Sequence, residues 1–379
     1  MEVANHDTAP TIMGLELGKI LSEADGGKRR RTVMNKYLTM KRNLSIFIRK
    51  KPRVPAQVVL VLIFITGAVH TAGAMGWWTP KPETELTEVT AFGSNPGNLK
   101  MYMYAPANVA DNAPLVVVLH GCTQNANEYA ERTQWNRLAK RFGFFVIYPE
   151  QQMINNAFSC FNWFFPSDAS RDQGESLSIK QMIDRIKTDH SIDAERVYVT
   201  GLSAGGYMAA VMLAVYPEVF AGGAVMAGGP FRCATDAIDA QYRCMKGLTN
   251  HTPEQWGGLV RSASDHPGPF PILTVFHGDM DPTVDDQNMT ELVEQWTNIH
   301  DADLMPDEDD LFRGHTHRIY NDTSGRPVVE TYHIKGMLHA IAVDPGSNED
   351  QGGTVGAYAE DRDIYSAFYA AKFWGLINP

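Results

Sequence analysis

The chain has 379 residues, 44% of them hydrophobic and 20% charged, which rules out a wholly disordered, fibrous or multi-span membrane protein. Its formal net charge of −11 is unevenly spread: residues 1–74 hold 12 Lys and Arg against 5 Asp and Glu, and the other 305 hold 21 against 39. A body that acidic lacks the basic stripe that neutralises phosphates, which argues against a nucleic-acid partner.

The basic head reads as a targeting segment. Arg49, Lys50, Lys51 and Arg53 precede an apolar run over 58–65, and Ala72-Gly73-Ala74 follows as a small-x-small cleavage pattern. The run is shorter than the roughly 20 residues a membrane span needs, so the expectation is a secretion signal over 40–74 that is removed, with no membrane association afterwards; a retained membrane anchor is the alternative. Residues 1–39 sit awkwardly before it and are expected to be disordered or not translated, with Met40 as the start. A Pro/Gly/Thr-rich arm covers 75–99, and the catalytic body covers 100–379.

Along that body, alternation predicts a strand over 100–104. Continuous apolar runs predict buried strands over 115–119 and 144–148. A helix is expected around 128–141 and another over 176–188, where apolar residues fall at 179, 182, 183 and 186. Then come a strand over 196–200, a helix over 204–216, strands over 223–227 and 272–276, a helix over 286–299, a strand over 328–334 and a closing helix over 361–374. Strands alternating with helices give an α/β fold with a mostly parallel sheet covered on both faces. Two stretches break the rhythm: 230–268 reads as an insertion, and the acidic 300–310 as a solvated loop whose spacing fails as a calcium site.

Four cysteines and no C-x-x-C pair point to disulfides in an exported chain. Cys233 and Cys244 close most easily, pinning the insertion, which leaves Cys122 with Cys160. Closing the shorter loop is worth about 3 kcal/mol by the chain-entropy argument.

Gly201-Leu202-Ser203-Ala204-Gly205 lies between a predicted strand and a predicted helix, the context in which G-x-S-x-G exposes a nucleophilic serine. Ser203 then needs a base, and the base an orienting acid, because an unassisted hydroxyl is a poor nucleophile. In this topology the acid and then the histidine follow in chain order. Asp281, after the 272–276 strand, is the chosen acid, with Asp279, Asp285 and Asp286 as alternatives. His339, in the loop after the 328–334 strand, is the base. His315 and His317 are expected on the surface, with no third ligand to make a metal site. The backbone N–H groups of Ala204 and Cys122 are expected to form the oxyanion hole, with His120 and Gly121 as the segment that shapes it; a mere tight turn is the plainer reading of His120-Gly121. Phe161 and Trp163 either line the substrate pocket or belong to the core.

The segments 115–130 (LVVVLHGCTQNANEYA), 144–151 (FFVIYPEQ), 160–166 (CFNWFFP), 196–225, 276–284 (FHGDMDPTV) and 336–340 (GMLHA) resemble the poly(3-hydroxybutyrate) depolymerase-type esterases, which are similar to feruloyl and acetylxylan esterases. The resemblance implies an α/β-hydrolase fold and an exported serine esterase, extracellular or periplasmic, with no cofactor or metal. It also implies Ser203, Asp281 and His339 as triad, His120-Gly121-Cys122 as oxyanion segment, and cystines at the two places proposed. Its substrate would be a polyester or its oligomers, or alternatively a feruloyl or acetyl ester of plant polysaccharide. The C-terminal polymer-binding domain that many members of the family carry has no counterpart before Pro379, which argues against efficient attack on solid polyester and leaves soluble oligomers or plant-wall esters as the expectation. A peptidase on this fold, or a binding protein on an inactive one, are the competing classes; the complete Ser–Asp–His set argues against the latter.

Overall fold

The computed structural model describes residues 85–377. The expected signal, the segment before it and the start of the arm lie outside them.

A ten-stranded sheet runs through the molecule in the order β1-β2-β4-β3-β5-β6-β7-β10-β9-β8. The strands are β1 Thr87–Glu88, β2 Lys100–Tyr104, β3 Ala113–Leu119, β4 Phe145–Glu150, β5 Ile192–Leu202, β6 Gly222–Met226, β7 Ile272–Gly278, β8 Glu308–Phe312, β9 His315–Asn321 and β10 Pro327–Ile334. The central six, from β4 to β10, are parallel, and antiparallel strands flank them on both sides. A small parallel pair, β11 Ile341–Val343 and β12 Ala359–Asp361, lies apart.

All seven residues of β3 are buried, as its apolar run requires for a strand covered on both faces. Its alternate side chains enter different cores. Leu115, Val117 and Leu119 pack with helices α3 (Gly174–Asp189), α4 (Ala204–Val215), α6 (Pro253–Arg261) and α7 (Gln287–Ile299). Val116 and Val118 pack with α1 (Ala126–Thr133), α2 (Trp135–Phe142) and α8 (Ser366–Phe373). Every residue of α4 is buried, which explains a helix that is apolar all round.

The sequence reading differs from the fold in four places. The helix over 128–141 is two, broken at Gln134, which takes φ 51°. The closing helix starts at Ser366 because Ala359–Asp361 pairs with β11. The acidic loop runs into the exposed edge strand β8, which forms a hairpin with β9. His315 and His317 are buried within β9, not on the surface. His315 Nε2 donates to Arg362 O at 2.8 Å and its Nδ1 accepts from Lys335 N–H, while His317 lies 3.0 Å from both Asp310 and Glu330. Acidic and backbone partners make these two polar side chains burial-tolerant.

The 230–268 insertion contains α5 (Ala237–Tyr242), a short 3₁₀ turn Cys244–Lys246 and α6, which opens with a Thr252/Gln255 capping box. Cys233–Cys244 and Cys122–Cys160 are disulfide-bonded.

Candidate active site

Ser203 sits at the junction of β5 and α4 with φ 56° and ψ −121°. For a side-chain-bearing residue that conformation costs about 1–3 kcal/mol. Its N–H donates to Met226 O and its carbonyl accepts from Tyr207 N–H, both at 2.9 Å. Two glycines make the turn possible. A Cβ on Gly201 would come within 2.3 Å of Gly205 O, and one on Gly205 within 2.2 Å of Leu119 O. Ala204 opens α4, so its N–H lies outside the helix's own hydrogen-bond ladder.

In the β3–β5 pairing Leu119 stands opposite Gly201, so the segment leaving β3 runs beside this turn. Within it, Gly121 N–H donates to Gln124 Oε1 at 2.9 Å and Thr123 N–H to Phe158 O at 2.6 Å. Between them, Cys122 N–H has no acceptor among the described residues. His120 is buried with its ring 5.1 Å from Phe161, and burial pushes its imidazole down to about 4, so it is neutral.

Asp281 and His339 meet at the same edge of the sheet. β7 and β10 are parallel with Gly278 opposite Ile334, and the loops that follow are laced together by Asp279 N–H to Ile334 O and Met280 N–H to Met337 O, each 3.1 Å. Asp281 Oδ2 lies 2.7 Å from His339 Nδ1, which must carry the proton. The other oxygen accepts the N–H groups of Thr283 (2.8 Å) and Val284 (3.0 Å). Burial pushes the Asp281 carboxyl up, but the His339 hydrogen bond and charge and the two N–H donors outweigh it and hold it below the usual carboxylate range. With Nδ1–H committed to Asp281, Nε2 of His339 is left as the basic nitrogen.

The alternative acids are engaged elsewhere. Asp279 accepts from Gly336 N–H, Asp285 from Gln287 N–H, and Asp286 pairs with His333 at 2.9 Å. The sequence reading missed His277, which is fully buried 3.6 Å from Asp281 Oδ2 and donates Nε2–H to Val284 O at 2.9 Å. Its position next to the Gly-Asp-Met-Asp run, inside a buried strand, is the signal that would have found it.

Phe161 is fully buried and Trp163 6% exposed, stacked on Tyr207 with centroids 3.8 Å apart. Both underpin this edge rather than offer open surface. Apolar side chains that do face solvent on its loops include Phe158, Met280 and Leu338, which are 68%, 60% and 47% exposed. Elsewhere, Asp344, Asp361 and Asp363 bring carboxylate oxygens within 4.8 Å of one another, and Arg313 bonds both Asp344 Oδ2 and Asp363 O there.

Residues 99–303 match the model of the family described as esterase PHB depolymerase. The chain belongs to that family. Poly(3-hydroxyalkanoate) depolymerase C of Paucimonas lemoignei is 50% identical to it over 294 residues, covering 77% of this chain and 70% of that protein. Feruloyl esterase B of Talaromyces stipitatus is 31% identical over 279 residues, 71% of this chain and 76% of the relative. Among solved structures, an acetyl xylan esterase from Aspergillus awamori superposes with a TM-score of 0.62 at 29% identity, covering 67% of this chain and 94% of its own. The chain is thus a carboxylic ester hydrolase with the α/β-hydrolase fold. The family match takes in the Ser203 turn and Asp281, and His339 lies beyond it.

Proposed function

We propose that this esterase hydrolyses 3-hydroxyalkanoate esters through a Ser203 acyl-enzyme. The observation that carries the reading is the 2.7 Å His339–Asp281 contact on the sheet edge where the strained Ser203 turn also emerges. His339 Nε2 takes the Ser203 proton as Oγ attacks the ester carbonyl, and Asp281 stabilises the imidazolium. The N–H groups of Ala204 and Cys122 hold the developing oxyanion. Collapse expels the alcohol, which receives the proton from His339. Water, activated by the same nitrogen, then releases the acid. Each oxyanion donor is worth ~3 kcal/mol to the transition state.

The depolymerase relative supports the hydroxyalkanoate acyl group, and so do the exposed apolar side chains Phe158, Met280 and Leu338, which suit an aliphatic polyester better than a sugar. The feruloyl and acetyl xylan esterase relatives support the second reading, an ester of plant polysaccharide. The basic n-region, the A-x-A pattern and the two disulfides favour export. Among the described residues no helix is long and apolar enough to cross a membrane.

The test compares wild type with Ser203→Ala, disulfides formed, on 4-nitrophenyl butyrate, 3-hydroxybutyrate oligomers and a feruloyl ester. Oligomer hydrolysis that depends on Ser203 and exceeds the feruloyl rate in kcat/KM supports the first reading. A reversed preference supports the second, and an active Ser203→Ala refutes both.

A further inference from the structure

Glu175, in the first turn of α3, is fully buried. No Lys or Arg pairs with it among the described residues, although burying a carboxyl without a cation is costly. Three donors surround it instead: Gln151 Nε2 at 2.5 Å and Asn162 Nδ2 at 2.8 Å on Oε1, and Asn162 N–H at 2.8 Å on Oε2. Burial pushes its carboxyl up to about 8 against those hydrogen bonds. The group therefore clamps both ends of the loop from 151 to 162.

That loop touches the oxyanion segment three times. Cys160 is bonded to Cys122, Phe158 O accepts Thr123 N–H, and Gln151 N–H donates to His120 Nε2 at 3.1 Å. The third contact fixes a tautomer. Because Nε2 accepts, the proton sits on Nδ1, and Nδ1–H donates to Gly121 O at 2.7 Å. The Gly121 carbonyl and the Cys122 N–H belong to one planar peptide, so holding the carbonyl aims the N–H.

We propose that Glu175 is a positioning residue for the oxyanion hole: it fixes the loop whose Gln151 N–H holds His120 in the Nδ1–H form, and His120 orients the Cys122 N–H. The inference rests on the reading of Cys122 N–H as an oxyanion donor. A hole of this kind works because its dipoles are fixed before the charge develops, and losing one donor outright costs about 10²–10³ in kcat.

The experiment uses the full chain with disulfides formed and compares Glu175→Gln, His120→Asn and His120→Ala on 4-nitrophenyl butyrate. An alkyl trifluoromethyl ketone, whose tetrahedral adduct with the serine loads the oxyanion hole, supplies a second readout. Glu175→Gln should lower kcat about 10- to 100-fold with KM little changed and weaken the ketone in step, a graded fraction of losing a donor. His120→Asn, whose Nδ2–H can replace Nδ1–H toward Gly121 O, should keep several-fold more kcat than His120→Ala. A Glu175→Gln protein with wild-type kcat and ketone affinity, or one that loses only thermal stability, overturns the proposal. If that variant does not fold, the histidine pair decides, and equal losses in the two overturn it. Those outcomes leave turnover dependent on Ser203, whereas wild-type turnover by Ser203→Ala would sink the esterase mechanism itself.

Discussion

Replacing both Cys122 and Cys160 with alanine separates two contributions of one disulfide. The bridge spans 38 positions, so the chain-entropy argument assigns it about 4 kcal/mol of stability, against about 3 kcal/mol for the 11 positions between Cys233 and Cys244. For a body of this size, at about 2.1 cal/mol/K of unfolding entropy per residue, the larger figure corresponds to a fall of about 6 °C in the thermal midpoint. Activity should fall as well, because the same bridge ties the oxyanion segment to the loop beside it. The proposed donor at residue 122 is a backbone N–H and survives the substitution. Two ties also remain, Gln151 N–H to His120 and Thr123 N–H to Phe158 O. A loss of about 10-fold in kcat, or about 1.4 kcal/mol of barrier, is therefore expected rather than that of a missing donor. Thermal denaturation gives the first quantity, and kcat on 4-nitrophenyl butyrate well below the midpoint gives the second. The Cys233→Ala/Cys244→Ala protein is the control, with a smaller midpoint shift and a smaller change in kcat. A folded Cys122→Ala/Cys160→Ala protein with wild-type kcat would refute the idea that the bridge orders the segment, and an unchanged midpoint would refute the entropy argument.

Asp281→Asn keeps an oxygen for Thr283 and Val284 but turns an amide N–H toward His339 Nδ1, forcing the opposite tautomer. A kcat loss of about 10³–10⁴ with little change in midpoint is expected from kinetics and melting of the purified variant. Gly205→Ala places a methyl 2.2 Å from Leu119 O and 2.6 Å from His120 O, so it should lower both the midpoint and kcat; a crystal structure with the Ser203 turn unmoved would count against this. Glu175 titrates near 8 when folded and near 4.5 when unfolded. Between those values the folded state holds the extra proton, so this group makes stability fall as pH rises. The slope of midpoint against pH from 5 to 8 should flatten in Glu175→Gln.

Much of this was legible because burial on two faces leaves a plain signature. The runs at 115–119 and 272–276 are apolar without a break, and the glycines flanking Ser203 are demanded by backbone contacts that a sequence already implies. His339 and Asp281, the proposed base and acid, were read from their order and their place at strand ends, and the structure brings the two side chains into contact. The β9 strand was not legible, since His-Thr-His-Arg reads as polar surface until Glu330 and Asp310 are known to face His317 and backbone groups of residues 335 and 362 to face His315. Glu175 was invisible for a similar reason. Its partners lie 13 and 24 positions away in the chain, and nothing in a helical first turn distinguishes a carboxyl that faces solvent from one that faces a loop.

The ends of the sheet bear on how the protein behaves in bulk. One terminal strand, β1, is two residues long, and the other, β8, presents exposed Glu308, Asp309 and Asp310. Short and like-charged edges of this kind repel a neighbouring copy that would otherwise extend the ladder. Replacement of the three acidic residues by valine should turn β8 into a seed for insoluble stacking while leaving the opposite end inert.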